Sequence, residues 1–390
     1  MPDVSRAYAI EDLRRMARRR LPRAIFDFID GGAEDELTLR GNRAAFERTL
    51  LAPRVLNDVS APDTACEILG APARLPFVVA PTGAAGIAWP GCDVGLARSA
   101  AALGVPFTLS TNATASIEEI AERAPGRLWF QLYVLRERGF VEKLVARAEA
   151  AGYEALVPTV DLAVGGKRER DFRNGFTIPP RLGARHVLSG ALHPGWAWRI
   201  LRNGGLPDFV NVRGYGGSAE RGLALASSVG RDTDPAFDWD DLARFRERWK
   251  RKLVVKGVSR VDDAERLAKL GVDGVWVSNH GGRQLDGALA SLDAAAAIAR
   301  ALGGRIPVIV DGGVRRGSDA VKARALGVQA VATGRATLYG AAAGGEAGAR
   351  QALEILASEL VRTMQLCGAA RIAEIGPDLI APRAPAGVSY

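Results

Sequence analysis

Residues that could do chemistry end the short apolar runs of this sequence. His280 ends the run GVWVSNH (274–280) and is followed by two glycines and Arg283. The chain has three histidines, and only this one ends a predicted strand, where an imidazole could act as a general base near neutral pH. A lone histidine is more often structural, but this placement favours catalysis. The other residues at these ends are Thr82, Ser110, Gln131, Tyr133, Thr159, Asp161, Lys256, Ser278, Asp311, Gly334 and Arg335.

Two glycine- and arginine-containing segments have the composition of a phosphate site. DGGVRRG (311–317) and TGR (333–335) place backbone N–H groups at predicted helix starts, together with Arg315 and Arg335. In barrels, the loops after the seventh and eighth strands commonly bind phosphate. The alternative is a pair of tight glycine turns with solvated arginines. We expect a phosphate-bearing cofactor.

The elements that must position these residues alternate between short apolar runs and longer amphipathic segments. A strand-then-helix rhythm predicts a parallel sheet, and eight strands can close into a (β/α)₈ barrel. A flat doubly wound sheet is the alternative, but the turn APTGAAG (80–86) does not fit its phosphate fingerprint. The predicted strands are FVVA (77–80), FTLS (107–110), LWFQLYV (128–134), ALVPTVD (155–161), LVVKG (253–257), GVWVSNH (274–280), IPVIVDGG (306–313) and AVATGR (330–335).

We expect one domain over residues 1–390, an α/β protein with N-terminal helices (1–50) and a TIM barrel (75–365). A long excursion (162–235) follows the fourth strand and holds more basic than acidic residues, with several aromatics. Such a segment is typical of an interfacial membrane contact. It could also be a lid over an anionic substrate, an oligomer contact or a disordered loop. Part of the chain before the fifth strand, around 236–249, is predicted to be helical.

Composition limits the class of protein. The chain is 48% hydrophobic and 25% charged, the balance of a soluble globular protein. Three distant cysteines give no metal-ligand spacing, so we expect reduced thiols and no metal. No apolar stretch reaches the roughly 18 residues of a spanning helix, and no secretory signal is recognised, so we expect a cytoplasmic protein, soluble or peripheral to a membrane.

The net charge of +8 is compatible with nucleic acid, an anionic membrane or an anionic substrate as partner. We expect no nucleic-acid binding, because the sequence has no zinc finger, basic zipper or aromatic RNA platform. The densest basic run lies between Arg14 and Arg23. We interpret it as a solvated face of an N-terminal helix.

The motif SNHGGRQLDG (278–287) resembles the signature of the FMN-dependent 2-hydroxy acid dehydrogenase and oxidase family. The resemblance covers nearly the whole chain, because further blocks match in order. These blocks are GGAEDELTLRGNRAAF (31–46), WFQLYV (129–134), VKG (255–257), DGGVRRGSDAVKARALG (311–327) and GRATLYG (334–340).

The resemblance implies that FMN is the cofactor and that an (S)-2-hydroxy acid is oxidised to the 2-oxo acid. His280 would be the base, Asp161 would hold its ring, and Tyr133 would bond the substrate near its reacting oxygen. Arg168 and Arg283 would clamp the substrate carboxylate. Lys256 would lie at the flavin edge and favour its anionic reduced form. The other implied cofactor residues are Pro81, Thr82, Gly83, Ser110, Gln131, Thr159, Ser278, Asp311, Gly312, Gly313, Arg315, Gly334 and Arg335.

Three positions depart from parts of the family pattern. Phe28 stands where members usually have a tyrosine whose hydroxyl meets the substrate carboxylate. Gly83 replaces the alanine common in oxidases, and Asn112 replaces a bulky tryptophan found in plant members. The last two suggest a dehydrogenase that reacts poorly with oxygen.

HPGWAW (193–198) resembles the bacterial membrane-associated mandelate and lactate dehydrogenases of this family. That likeness implies docking on the cytoplasmic face of the inner membrane, with a quinone as acceptor, and the family implies a homotetramer. A soluble oxidase that releases H2O2 is the main alternative. A different phosphate-binding barrel and a non-catalytic basic protein are the others.

Overall fold

A barrel of eight parallel strands forms the centre of the protein. The computed structural model describes residues 3–175, 183–217 and 232–381. A hairpin of β1 (Cys66–Ile68) and β2 (Ala71–Ala73) precedes the barrel, which closes by pairing its first strand with its last. The predicted (β/α)₈ fold is confirmed, since each predicted run contains a strand or most of one. The barrel strands are β3 (Phe77–Val79), β4 (Phe107–Ser110), β5 (Leu128–Leu132), β6 (Ala155–Pro158), β7 (Lys252–Val258), β8 (Gly274–Val277), β9 (Val308–Val310) and β10 (Ala330–Thr333).

Side chains that point into the barrel fill its lower part. Trp129 of β5 and Trp276 of β8 are fully buried and meet edge to face, with ring centroids 6.3 Å apart. Ile68 and Leu69 of the hairpin pack into the same inner cluster. Because large side chains occupy this end, open space inside the barrel is confined to the mouth formed by the carboxyl ends of the strands.

Helices follow the strands and cover the outside of the barrel. Two of them begin at a side chain that caps the helix: the Ser116 hydroxyl accepts from Glu119 N at 3.0 Å, and the Asp238 carboxylate accepts from Asp241 N at 3.0 Å. The helix predicted around 236–249 is confirmed. The barrel helices are α4 (Cys92–Ala102), α5 (Ile117–Arg123), α6 (Arg138–Ala150), α10 (Trp239–Arg248), α11 (Val261–Leu270), α12 (Ser291–Leu302), α13 (Gly317–Ala325) and α14 (Arg335–Leu366).

Three N-terminal helices, α1 (Ile10–Arg20), α2 (Arg23–Asp30) and α3 (Leu37–Arg48), pack against the barrel. Asp30, buried at the end of α2, accepts hydrogen bonds from Arg14 Nε at 2.6 Å and from the Tyr339 hydroxyl at 2.6 Å. Burial alone would raise the pKa of Asp30, but the bonds from Arg14 and Tyr339 lower it further than burial raises it. This buried charge network fixes α2 against α1 and α14.

The excursion contains α7 (Glu169–Arg173), α8 (Ala184–Ala191) and α9 (Pro194–Arg202), while its residues 176–182 and 218–231 lie outside the described part. Trp196 of α9 donates from its indole to the carbonyl of Ile87 at 2.9 Å, which fastens the helix beside the barrel mouth. In the described ranges, no helix is long and apolar enough to span a bilayer. The large apolar residues that α8, α9 and the turn between them leave exposed are Val187, Leu188, Leu192, Trp198 and Leu201.

Helix α14 bends at Gly344 and Gly345, and its two halves cross at very short range. A Cβ added to Gly348 would lie 1.9 Å from the carbonyl oxygen of Gly340. That approach is available only to glycine, so the packing of the last barrel helix depends on it.

We expect Gly348→Ala to lower the free energy of unfolding by about 1–3 kcal/mol through overpacking. Gly41→Ala is the matched control, because nothing lies within 4 Å of its added Cβ. In mid-helix the control should raise stability by about 0.5–1 kcal/mol. Urea unfolding of both variants measures this, and equal stability of the two would contradict the packing argument.

Candidate active site

A cavity of about 270 Å³ lies at the mouth of the barrel and collects most of the residues predicted from the sequence. It is bounded by the strand ends, by α2 and by the start of the excursion. The predicted residues that line it are Phe28, Pro81, Thr82, Gly83, Gln131, Tyr133, Thr159, Arg168, Lys256, His280, Arg283, Asp311, Gly312, Gly313, Arg315, Gly334 and Arg335. Asp161, Ser110 and Ser278 stand behind this lining and contact residues that form it.

His280 is held by a contact on each ring nitrogen. Its Nδ1 lies 3.0 Å from Asp161 Oδ1, and its Nε2 lies 3.2 Å from the Tyr133 hydroxyl. The backbone at His280 is left-handed, with φ +59°. A non-glycine residue in that region is uncommon and often marks a functional site. The turn directs the imidazole across the mouth, so that the segment after β8 supplies the imidazole and the segment after β6 supplies the carboxylate beside it.

Asp161 is a carboxylate with only 12% of its side chain exposed, and it is fixed from two sides. Gly257 of β7 has φ +102°, and a Cβ added there would come within 2.8 Å of the Asp161 side chain. Gln284 donates from its amide to the Asp161 carbonyl at 3.0 Å. Burial would raise the pKa of Asp161, but the charges of His280 and Lys256 lower it further, so the net shift is downward. The carboxylate therefore stays ionised at neutral pH, beside the imidazole.

Two arginines flank the ring of Phe28. The guanidinium of Arg283 lies 5.1 Å from the ring centroid and that of Arg168 lies 5.7 Å from it. Arg283 donates to the carbonyls of Phe28 at 2.7 Å and Gly31 at 3.2 Å. Burial lowers the pKa of Arg283 well below its usual value, and the nearby charges of Arg168 and Arg335 lower it further. An anion entering the cavity would relieve this repulsion.

A lysine and an aspartate form a buried ion pair at the floor of the cavity. Lys256 Nζ lies 3.4 Å from Asp311 Oδ2 and donates to the Ser278 hydroxyl at 2.9 Å. The Ser278 hydroxyl donates in turn to Asp311 Oδ1 at 2.7 Å, and the Trp276 indole donates to Oδ2 at 3.0 Å. Lys256 thus presents a fixed positive charge at the floor of the cavity, and Ser278 and Trp276 hold its partner, the Asp311 carboxylate, in place.

Gln131 organises the neighbouring wall. Its side-chain oxygen accepts from the Ser110 hydroxyl at 3.1 Å, and its nitrogen donates to the Thr159 hydroxyl at 3.0 Å. The register of the sheet pairs Ser110 with Gln131 across β4 and β5, which brings these side chains together. Gln131 and Thr159 thus present uncharged polar groups to the cavity, and Ser110 supports Gln131 from behind.

The opposite end of the cavity is formed by glycines and arginines. Gly312 and Gly313 have φ of +90° and +92°, and a Cβ on Gly313 would lie 2.5 Å from the Asn42 carbonyl oxygen. Gly334 precedes the first turn of α14, where backbone N–H groups lack partners within the helix. Arg335 donates to the carbonyls of Ile29, Gly281 and Gly31 at 2.9, 2.7 and 2.6 Å. Burial lowers its pKa.

Two contributors were missed by the sequence analysis. Gln284 lines the cavity and also donates to the Val164 carbonyl at 3.0 Å, which ties the start of the excursion to the histidine loop. Asn42 of α3 exchanges amide hydrogen bonds of 2.8 Å with Asn279 in both directions. Both lie inside blocks that carried the family resemblance, but no residue type or spacing marked them individually.

These residues fit FMN by their chemistry. The glycine and arginine end offers backbone donors and positive charge to a phosphate. The wall of Gln131 and Thr159 offers hydrogen bonds to the edge of a polar ring system, and Lys256 offers a cation. An added Cβ at Gly334 would meet nothing closer than 3.8 Å, so this stretch of backbone borders open space. Fold and site together define a barrel enzyme with a phosphate-bearing cofactor and a carboxylate–histidine pair.

The chain belongs to the FMN-dependent dehydrogenase family, whose model matches residues 17–382. It is a flavoprotein oxidoreductase, FMN is its cofactor, and the resemblance inferred from the sequence is confirmed. The chain is 43% identical to (S)-mandelate dehydrogenase of Pseudomonas putida over 374 residues, covering 96% of this chain and 93% of that one. It is 44% identical to L-lactate dehydrogenase of Caulobacter vibrioides over 374 residues, covering 96% and 97%.

Its fold also matches a solved relative closely. The crystal structure of the monotopic membrane protein (S)-mandelate dehydrogenase superposes with a TM-score of 0.92 at 41% identity. The match covers 97% of this chain and 100% of that one. The two folds therefore correspond over nearly the whole length of both chains.

Acid titration should reveal the charge of Asp161. Because its pKa is lowered in the folded chain, the ionised carboxylate adds stability that is complete above the ordinary pKa of about 4 and lost as the pH falls through the lowered value. We expect Asp161→Asn to reduce the free energy of unfolding near neutral pH, and the reduction to shrink in acid. Asp35→Asn, at an exposed position, is the control. An equal loss at both pH values would contradict the assignment.

Proposed function

We propose that this protein oxidises an (S)-2-hydroxy acid, such as lactate, mandelate or a relative, to the 2-oxo acid. His280 would act as the base, and electrons would pass to a membrane quinone. The observation that carries the proposal is that one cavity is lined both by His280, whose ring Asp161 holds from behind, and by the cationic pair Arg168 and Arg283. A proton acceptor beside two carboxylate binders is what a 2-hydroxy acid requires.

Substrate binding follows from the electrostatics of the cavity. Arg283 is partly buried, and it donates to the backbone carbonyls of Phe28 and Gly31, so a substrate carboxylate would offer it a charged partner. Arg168 donates to Asp171 at 2.8 Å and still lines the cavity. These two guanidiniums would orient the acid so that the substrate C2–H and hydroxyl lie near His280 Nε2.

Proton transfer would fall to His280 at Nε2. Asp161 holds the opposite nitrogen at 3.0 Å and balances the cation that forms on protonation. Tyr133, 3.2 Å from Nε2, would hydrogen-bond the reacting oxygen. FMN, when bound, accepts the two electrons that the substrate loses. Lys256 would stabilise negative charge on the reduced flavin ring. In either a hydride route or a carbanion route, His280 would be the group that accepts the substrate proton.

The relatives support the choice of substrate class, because mandelate and L-lactate, which the relatives' names specify, are both 2-hydroxy acids. Membrane docking is supported by the exposed apolar residues of α8 and α9, such as Trp198 and Leu201, and by the monotopic character of the solved relative. We propose the cytoplasmic face of the inner membrane as its location. The homotetramer implied by family resemblance stays a prediction.

The acceptor is tested with purified FMN-loaded protein and either (S)-mandelate or (S)-lactate. We expect a short-chain quinone to be reduced about tenfold or more faster than oxygen is consumed, which corresponds to about 1.4 kcal/mol in activation free energy. Quinone absorbance and an oxygen electrode measure the two rates. Oxygen uptake that matches or exceeds quinone reduction, with release of H2O2, would instead establish the soluble oxidase.

Restoring the hydroxyl at position 28 should improve substrate binding. Phe28 lies between the two guanidiniums, so Phe28→Tyr would add a donor close to the bound carboxylate. A hydrogen bond worth about 1–2 kcal/mol lowers the KM for simple 2-hydroxy acids by roughly fivefold to thirtyfold. Phe172→Tyr is the control, because that ring is 62% exposed on α7. An unchanged or higher KM in Phe28→Tyr would contradict this role.

A further inference from the structure

Gln284 fastens the first residues of the excursion to the loop after β8. Its side-chain nitrogen donates to the carbonyls of Asp161 and Val164, each at 3.0 Å. Its side-chain oxygen accepts from the N–H of Gly166 at 3.1 Å. Three backbone groups of residues 161–166, which we call the entry segment, are therefore held by one side chain.

The entry segment has no regular structure of its own. It forms neither helix nor strand, and its residues 163–165 are exposed. The N–H of Val160, just before it, still donates to the Lys256 carbonyl at 2.9 Å, which continues the pairing of β6 with β7. Fixing an exposed segment beyond the end of a sheet costs conformational entropy, and the hydrogen bonds from Gln284 offset part of that cost.

The carboxylate of Asp161 depends on its main chain for its position. Its Oδ1 lies 3.0 Å from His280 Nδ1, whereas its Oδ2 is buried and has no hydrogen-bond partner in the part of the chain that the structure describes. One side-chain contact therefore joins the carboxylate to the ring. A shift of the main chain at Asp161 would break that contact, because no second one holds the carboxylate in place.

The entry segment also leads to Arg168, which lines the cavity. A Cβ added to Gly166 would lie 2.2 Å from the Arg283 carbonyl oxygen, so the two main chains approach closely at this point. Gln284 follows Arg283 directly, and its bond to the Gly166 N–H holds the two chains at that approach. The spacing between the guanidiniums of Arg168 and Arg283 therefore depends on the amide of Gln284.

The donors of Gln284 are fully used within the protein. A glutamine side chain has two N–H groups, and here both are directed at carbonyls of the entry segment. The loop that carries Gln284 is itself anchored, because Asn279 exchanges amide hydrogen bonds of 2.8 Å with Asn42 of α3. Although Gln284 lines the cavity, it has no donor left for a ligand, which favours a role in positioning other groups.

We propose that Gln284 is a positioning residue for both proton transfer and carboxylate binding. Through the entry segment it sets Asp161 against His280 and, two residues beyond that segment, Arg168 beside the substrate. This inference rests on the function proposed above and adds a residue that acts through other residues. One amide thereby links the groups that handle the proton to the groups that hold the substrate carboxylate.

The test is anaerobic flavin reduction in the full-length, FMN-loaded protein by (S)-mandelate or (S)-lactate, a half-reaction that does not involve the electron acceptor. We expect Gln284→Met to lower the maximal rate by roughly tenfold to a hundredfold, because small displacements of reacting groups are costly. It should also raise the half-saturating concentration of the acid. The matched control is Gln365→Met, which removes a glutamine of α14 that donates to the Val59 carbonyl at 3.0 Å. The control should behave like the wild type.

Double variants separate positioning from a general structural role. In Asp161→Asn, adding Gln284→Met should change the maximal rate by less than about twofold, because the carboxylate that it positions is gone. The half-saturating concentration should still rise there. In Arg168→Met we expect the reverse, a further fall in rate without a rise in that concentration. Equal effects of Gln284→Met in all three backgrounds would overturn the inference.

Gln284→Glu is the second variant and serves if Gln284→Met does not retain FMN. The glutamate keeps the length of the side chain and an oxygen for the Gly166 N–H, but its carboxylate lacks both donors. It should show the same pattern in the double variants. Wild-type kinetics in either Gln284 variant would overturn the inference. Wild-type protein whose flavin is reduced by no 2-hydroxy acid would instead overturn the proposed function itself.

Discussion

The enclosure of three cations around one cavity is the constraint on which the rest of the site depends, with Lys256 buried and Arg283 and Arg335 partly buried. Lys256 is paired with the Asp311 carboxylate, but Arg283 and Arg335 are compensated by backbone carbonyls. Carbonyl dipoles satisfy the donors of a guanidinium without cancelling its charge, and burial lowers the pKa of both arginines. A cavity with this surplus of positive charge selects anionic ligands. A cofactor phosphate and a substrate carboxylate both meet that requirement.

The same constraint explains why the N-terminal helices belong to the active site. The carbonyls that accept hydrogen bonds from Arg283 and Arg335 belong mainly to Phe28, Ile29 and Gly31, at the end of α2. Helix α2 must therefore be held rigidly over the mouth, and the buried Asp30 network does so through α1 and α14. The barrel supplies His280, Asp161 and the glycine turns of the cavity, while carbonyl groups of the N-terminal segment accept hydrogen bonds from Arg283 and Arg335.

Strand periodicity predicted the barrel, because parallel strands buried on both faces appear as short apolar runs. The carboxyl ends of those runs predicted the cavity, since a barrel gathers them at one mouth. The sequence could not predict the contacts that form between segments far apart along the chain. The carbonyl partners of Arg335 are set by the position of α2. Gln284 acts through its contact with the excursion, and Ser278 acts from behind Lys256 rather than in the lining. No local pattern encodes such contacts.

The most direct measurement is an anaerobic titration of the purified flavoprotein with each enantiomer of mandelate and lactate, following the absorbance of the flavin. Bleaching by an S enantiomer and not by its R counterpart, strongly slowed in His280→Gln, is the predicted result. That result would establish the substrate class, the reductive half-reaction and the identity of the base in one experiment. A yellow protein that no 2-hydroxy acid bleaches, or an equally fast His280→Gln variant, would contradict the proposed chemistry.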